Sequence, residues 1–175
     1  MEILIAGVAL VALMVFVSTK IKKSAATAFE REVIDTKDFV IIKSEGLINP
    51  LRDKSEFAFE AYSKEFGKND AEEFNQMTAH LQIFSNADFK ETCANAKKLI
   101  SEIVSENVLV INSKQNVCLI EGRKSENEAQ FFKVWKIVHS LQRQKVYELQ
   151  ISILENYREV YAERLSEMLE SFTVK

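Results

Sequence analysis

The stretch FFKVWKIVHSLQRQKVYELQISIL, residues 131–154, decides the fold of this 175-residue chain. From Val146 to Leu154 apolar and polar residues alternate, which is typical of a half-buried strand. The residues from Phe131 to Val138 form an apolar run without such alternation, which indicates a strand that is apolar on both faces. Leu141–Gln144 separates the two runs, so the stretch predicts a long hairpin at the centre of a sheet.

The Phe131–Val138 run allows two interpretations of its aromatic residues. It is a central strand covered on both sides, or Phe131 and Trp135 form an exposed patch that docks a partner, since aromatic anchors dominate interface energetics. Contact with a membrane is a third possibility.

Further strands are predicted before this hairpin. Phe39–Ile42 is a β-branched run followed by turn residues. Residues 55–67 fit either a strand, through alternating Phe57, Phe59 and Ala61, or one face of a helix that stops at Gly67. The alternating run at residues 77–83 favours the strand, because the two runs then pair.

Two helices and a second hairpin complete the pattern. Ser85–Asp88 is a helix-start signal, and helical spacing predicts a helix from Asp88 to about Glu106. Val108–Ile111 and Val117–Ile120 predict a hairpin, after which residues 121–128 form a connection. Gly46 and Gly122 are interpreted as turn residues that need positive φ. Residues 157–172 predict a closing helix.

The order of these elements predicts an α+β fold, an antiparallel sheet flanked by two main helices. Three segments carry a resemblance to a known family: Cys118–Gly122, Val146–Leu149 and the helix end Met168–Phe172. Over residues 36–173 the chain resembles the PsbP-like family, in which a V-Y-x-L strand and a closing helix ending in S-F recur in this order. The resemblance implies a PsbP-like sandwich and a non-enzymatic accessory or binding role in membrane-associated complexes.

The N-terminus predicts a membrane anchor. Residues 3–17 carry no charge, and a helix from Ile3 to Thr19 would be about 25 Å long, close to the ~30 Å hydrocarbon core. The predicted organisation is a transmembrane anchor at 1–20, a linker at 21–35 and one domain at 36–175. A cleaved signal peptide is less favoured because the segment before the apolar run has no Lys or Arg, and a buried core helix less still.

Three lysines follow the predicted span: Lys20, Lys22 and Lys23. Positive charge is retained on the cytoplasmic side of a span, so the domain is expected to face the cytoplasm. The PsbP-like resemblance implies the alternative, since many members of that family lie outside the cytoplasm.

The sequence offers little catalytic chemistry. His80 and His139 are the only histidines, each within an apparent strand, and no His/Cys/Asp spacing suits a metal ion. Cys93 and Cys118 are interpreted as small buried apolar residues. No glycine-rich phosphate-binding motif is present, so no cofactor is expected. The net charge is −3, and the part after Lys23 is more acidic still, which makes nucleic acid an unfavourable partner.

Three classes of function therefore compete. A single-span accessory or assembly protein that binds another membrane-associated protein is favoured over a membrane-tethered domain that binds or senses a small ligand. An enzyme comes last, since no set of acid, base and nucleophile is evident. The bilayer and a membrane protein are the expected partners.

Overall fold

The computed structural model describes residues 13–20, 27–50, 55–111 and 114–175. Residues 13–20 are helical with exposed side chains, and Lys20 ends this segment. Residues 3–12 of the predicted span lie outside the described residues, as do Lys22 and Lys23. Within the described residues, no helix combines the length and the apolar character needed to cross a bilayer.

In the described part of the chain, ten strands form two antiparallel sheets and two α-helices pack against them. The larger sheet has the order β3-β4-β5-β9-β8-β7-β6, and the smaller has the order β1-β2-β10. The elements are β1 (Glu32–Asp35), β2 (Phe39–Lys43), β3 (Leu47–Ile48), β4 (Phe59–Ser63), β5 (Met77–Ser85), α1 (Phe89–Lys98), β6 (Glu102–Ile111), β7 (Gln115–Glu126), β8 (Ala129–Ser140), β9 (Lys145–Leu154), α2 (Ala162–Ser171) and β10 (Thr173–Val174).

The central hairpin is confirmed. Strands β8 and β9 pair antiparallel, with Trp135 opposite Gln150 and Val138 opposite Tyr147. The alternating face of β9 is fully buried at Tyr147, Leu149, Ile151 and Ile153. The segment at residues 55–67 contains strand β4, which pairs with β5, so the strand interpretation of that segment is also confirmed.

The first helix is shorter than predicted. It ends at Lys98, because Glu102–Ile111 pairs with β7 and becomes a strand instead. Its N-cap is Asp88, whose carboxylate accepts a hydrogen bond from the Glu91 amide at 2.8 Å. The predicted start signal Ser85–Asp88 thus contains the observed cap at its last residue, while its first residue, Ser85, still belongs to β5.

Residues 121–128 were predicted to be a connection, but β7 continues to Glu126 and only Asn127 and Glu128 form the turn. Both turn residues have positive φ, 46° and 66°. Gly122 lies within β7, where it permits a close approach of Ile100, whose Cγ2 would be 2.2 Å from an added Cβ. The turn interpretation is therefore wrong for Gly122. It is correct for Gly46, whose φ is +85°.

Of the smaller sheet only β2 was predicted, from the run Phe39–Ile42. The first strand of this sheet, β1, occupies residues 32–35 and pairs with β2, so the last four residues of the predicted linker belong to the fold. Its third strand, β10, follows α2 and pairs with β2 through Thr173 and Val174. The closing helix is confirmed in a shorter form, because a 3-10 turn at Glu155–Tyr157 precedes α2.

The smaller sheet and α2 cover one face of the larger sheet, and α1 lies on the opposite face. The main core lies beneath α2 and includes Phe39, Ile41, Met168 and Phe172 with the buried side of β4, β5 and β9. The Lys136 ammonium donates hydrogen bonds to the Leu169 and Phe172 carbonyls at 2.6 and 2.9 Å. These two carbonyl groups at the C-terminal end of α2 are thereby hydrogen-bonded.

Candidate functional site

Helix α1 covers only half of its sheet face, the part built from β7 and β8. Beneath it Trp135 is fully buried together with Ile120 and Ile137, and Cys93 and Ala96 pack down from the helix. We call this area the closed half. It is a second apolar core on the opposite side of the sheet from α2.

The two aromatic residues considered as docking anchors are both buried. Trp135 is 0% exposed beneath α1, and Phe131 is 6% exposed. The Phe131 ring packs edge-on against Phe74, with ring centroids 5.1 Å apart. An exposed aromatic patch at these residues is therefore contradicted, because the structure uses both rings in core packing.

The remainder of this face, which we call the open half, is polar and has no helix over it among the described residues. It consists of the half-buried outward residues of β4, β5 and β9, together with Lys133 of β8. Its members are Glu60, Tyr62, Thr78, His80, Gln82, Gln150, Ser152 and Lys133. One row of directly opposed residues crosses from the open half into the closed half: Glu60, His80, Gln150 and Trp135.

His80 lies near the centre of the open half. Its Nε2 is 3.6 Å from a Glu60 carboxylate oxygen, and the Phe57 ring stacks on the imidazole at 4.5 Å. Burial lowers the pKa of His80, and the Glu60 carboxylate opposes this shift only in part. The imidazole is therefore neutral at neutral pH and supplies no positive charge to the neighbouring Glu60.

Lys133 forms the second charged element of the open half. It is only 7% exposed, and its ammonium donates to the Glu126 carboxylate at 2.8 Å. Lys124 contacts the same carboxylate at 2.6 Å, so two ammonium groups hold the pKa of Glu126 below its ordinary value. The Lys133 ammonium also lies 5.5 Å from the centre of the Phe131 ring. The ion pair between Lys133 and Glu126 therefore lies next to a buried aromatic residue.

A cleft of about 260 Å³ opens between His80 and Lys133. Its volume lies below the roughly 300–1,000 Å³ of typical small-molecule sites, so its size suits one or two side chains of a partner protein better than a whole ligand. The cleft is lined by Glu73, Phe74, Asn75, Thr78, His80, Glu126, Phe131, Lys133, Gln150 and Ser152.

Glu148 marks the boundary between the two halves. It stands on β9 opposite Gln82 and Ile137, with the apolar residues of the closed half on one side. Burial raises the pKa of this carboxyl, and the nearby Trp135 indole offsets the shift only in part. Among the described residues Glu148 pairs with no cation, and a half-buried carboxylate without one is a local source of instability.

The residues that could perform chemistry are dispersed. His139 stacks on Phe89, with ring centroids 5.9 Å apart, beyond the closed half and far along the sheet from His80. Within the described residues no group of three or more His, Cys, Asp or Glu side chains is placed to hold a metal ion. Among these same residues, no hydrogen bond joins a serine, threonine or cysteine to either histidine.

Cys93 and Cys118 are free and buried in the closed half. Their thiols lie within hydrogen-bonding reach of one another, and burial raises the pKa of Cys93 to about 12. The interpretation as small buried apolar residues is therefore confirmed, because a thiol with so high a pKa is a poor nucleophile and a poor metal ligand.

Sequence reasoning missed the open half as a site. Its signal was present in the polar positions of two strands, Thr78, His80 and Gln82 in β5 and Glu148, Gln150 and Ser152 in β9. The alternation of each strand by itself predicts only that these polar residues lie on the less buried face. Lys133, one of two lysines inside the apolar run of residues 131–138, is a further sign, because a buried ammonium needs a charged partner.

The sequence matches neither a known family model nor a curated protein sequence. Its fold nevertheless resembles solved structures at low sequence identity. The Ran-binding protein Mog1p of Saccharomyces cerevisiae superposes with a TM-score of 0.55 at 11% identity, over 83% of this chain and 96% of Mog1p.

Two bacterial structures agree with this match. LpqN of Mycobacterium tuberculosis, which is involved in cell envelope biogenesis, gives a TM-score of 0.55 at 12% identity over 83% of this chain and 91% of its own. The PsbP protein of Synechocystis (CyanoP) gives 0.52 at 10% identity over 84% and 94%. The resemblance to the PsbP-like family is therefore confirmed at the level of the fold, which is α+β and antiparallel.

Proposed function

We propose that this protein is a non-catalytic, single-span membrane accessory protein whose α+β domain binds another membrane-associated protein. The observation that carries the proposal is the open half of the sheet. It combines half-buried charges, a stacked Phe57–His80 pair and a shallow cleft, and no element of the described chain covers it. Among proteins of similar fold, Mog1p is named as Ran-binding, which supports a protein partner for such a domain.

The open half suits a protein surface because its charges are fixed but incompletely neutralised. Glu60 accepts a hydrogen bond from the Ser55 hydroxyl at 3.2 Å and lies beside the neutral His80 imidazole, but it pairs with no Lys or Arg of the described residues. Glu126, in contrast, is held between Lys124 and Lys133. A partner that brings a basic side chain to Glu60 would gain a charge-assisted hydrogen bond at a partly desolvated position. We therefore propose that the partner presents at least one Lys or Arg to this half.

The membrane anchor belongs to the same proposal. We propose that Ile3 to Thr19 spans the bilayer, with Lys20, Lys22 and Lys23 on the cytoplasmic flank. The chain joins the domain beside Gly46, whose amide donates to the Phe29 carbonyl at 2.8 Å, while the Lys43 ammonium donates to the Ala28 carbonyl at 2.7 Å. These contacts support a domain whose Gly46 end lies nearest the bilayer.

The partner is tested by affinity purification of the tagged full-length protein from native membranes in mild detergent. Gln150→Arg introduces a cation into the centre of the open half, next to His80, and is expected to abolish recovery of the stoichiometric partner. Ala94→Arg is the matched control, because Ala94 is exposed on the outer side of α1. Equal recovery with both variants contradicts the proposed site.

The orientation is tested by adding protease to sealed membrane vesicles of known sidedness. A cytoplasmic domain is digested only in inverted vesicles. Digestion only in right-side-out vesicles instead places the domain outside the cytoplasm. An intact mass that begins near Phe29 contradicts the anchor itself, since it shows that the apolar segment has been removed.

A further inference from the structure

The open half contains two charged residues, and only one of them is paired with an opposite charge. The Lys133 ammonium lies 2.8 Å from the Glu126 carboxylate. Glu60 accepts a hydrogen bond from Ser55 and lies beside the neutral His80 imidazole, but no lysine or arginine in the described part of the chain pairs with it. The uncompensated charge of the open half is therefore negative.

Glu148 is a second carboxylate of the same sheet face without a cation. It lies on β9 two residues before Gln150, so both side chains leave the strand on one face. Glu148 is half-buried at the boundary of the two halves, and no lysine or arginine among the described residues pairs with it. A glutamine would fill the same space without burying a charge. Residues that cost stability in this way are expected at functional sites.

The two carboxylates are well separated. Glu60 and Gln150 both stand opposite His80, which lies between them, and Glu148 is two residues along β9 from Gln150. Because strands lie about 4.8 Å apart and rise about 3.4 Å per residue, the Cα atoms of Glu60 and Glu148 are roughly 12 Å apart. The Glu60 carboxylate is held at its own end by Ser55 and His80. One ammonium group or one metal ion therefore does not serve both carboxylates.

We propose that the partner protein docks on this face with two basic side chains about 12 Å apart, one bound to Glu60 and the other to Glu148. The inference rests on the proposed function and extends it, because it adds a contact outside the open half and gives the distance between the two contacts.

Charge complementarity selects this occupant. The face presents two separated negative charges, and the residues between them, His80, Gln82 and Gln150, are uncharged and able to form hydrogen bonds. Both carboxylates are partly withdrawn from water, so a charge-assisted hydrogen bond to either is stronger than at a fully exposed position. A basic partner also removes the cost of burying the unpaired Glu148 carboxylate.

Partner depletion tests the two contacts. Increasing amounts of the tagged full-length protein are added to a fixed amount of detergent-solubilised membranes from cells that lack this protein, and the partner left in solution is quantified. Glu60→Gln and Glu148→Gln each remove one charge-assisted hydrogen bond and are each expected to raise the half-depletion concentration about tenfold. Because effects at separated sites add in free energy, the double variant is expected to raise it about a hundredfold.

Glu159→Gln is the matched control, because it removes the same charge at an exposed site just before α2. It should leave the half-depletion concentration unchanged. Thermal unfolding checks that each variant is folded, and Glu148→Gln should melt no lower than the parent. Added KCl should weaken binding of the parent more than binding of the double variant, since salt screens ion pairs.

A folded Glu148→Gln variant that depletes the partner as well as the parent does overturns the second contact. A double variant that binds no more weakly than the weaker single variant shows that one cation serves both carboxylates, which overturns the spacing. In either case the proposed function stands if Gln150→Arg still abolishes recovery of the partner. If the parent depletes no protein from the membranes, the proposed function and this inference both fail.

Discussion

The open and closed halves lie on one face of one sheet, yet they have opposite roles. The row Glu60, His80, Gln150 and Trp135 passes from three polar residues to a fully buried indole within four neighbouring strands. Helix α1 excludes water from the second part of this row and leaves the first part accessible. The comparison indicates that the buried apolar contacts of this face, and hence their contribution to stability, lie in the closed half, whereas the open half is the proposed recognition surface.

The largest expected effect is at Trp135, in the closed half. Trp135→Ala removes a fully buried indole and leaves a cavity beneath α1, so the free energy of unfolding should fall by about 3–5 kcal/mol. Urea denaturation followed by circular dichroism measures this loss. Trp135→Phe keeps a ring in the site and should cost less. An unchanged unfolding curve for Trp135→Ala would show that α1 does not close this half.

The next effect is at Gly122, where the chain that follows α1 crosses β7. An added Cβ would lie 2.2 Å from the Ile100 Cγ2 and 2.7 Å from the Glu102 carbonyl oxygen. Gly122→Ala must therefore push the crossing segment outward and should cost about 1–3 kcal/mol. Thermal unfolding checks this value. Ser125→Ala, at an exposed position of the same strand, is the control and should leave the transition nearly unchanged.

In the open half, Lys133→Met should change the free energy of unfolding by less than about 1 kcal/mol. The methionine side chain fills the space of the apolar part of Lys133, and Lys124 still pairs with Glu126. Because two lysines lower the pKa of Glu126, its contribution to stability is present above the unfolded-state pKa and is lost as pH falls through the folded-state pKa. Removing Lys133 weakens this dependence. Melting temperatures measured from neutral to acidic pH test it. A loss as large as that of Trp135→Ala would place Lys133 in the core.

The smallest effect is expected at the boundary, where Glu148→Gln should stabilise the protein slightly at neutral pH. Burial raises the pKa of Glu148, so the folded state favours the protonated form, and this contribution to stability is lost as pH rises through the folded-state pKa. The neutral amide avoids that loss. The melting temperature of the variant should exceed that of the parent near neutral pH and match it in acid. Glu159→Gln, at an exposed site, should show no such difference.

The hairpin and the helices differ in how well sequence predicted them. The alternation of β9 identified its buried face correctly, because residues two apart on a strand share one face. It did not identify Val146 and Leu154, which are buried on the opposite face. For α1, Ile100 and Ile103 fit helical spacing as well, but pairing of Glu102–Ile111 with β7 outweighed that local pattern. Short apolar segments satisfy both periods, and only the strand beside them decides between the two.

The candidate site was predicted least well. Phe131 and Trp135 were recognised as the residues of interest, but their sequence neighbours do not reveal whether a helix lies above them. The other two strands of the smaller sheet were missed for a similar reason. Residues 32–35 and Thr173–Val174 are too short to show a period, and they become strands because both pair with β2.

By itself, the sequence determined the antiparallel sheet, its central hairpin and the two helices, because hydrophobic periodicity is a local property of the chain. Only the tertiary structure decided which part of each face is covered. A helix with its side chains is about 10 Å wide, and strands lie about 4.8 Å apart, so α1 can shield about two strands of this sheet. Its position over β7 and β8 buries Trp135 and leaves His80, Glu60 and Lys133 to form the open half.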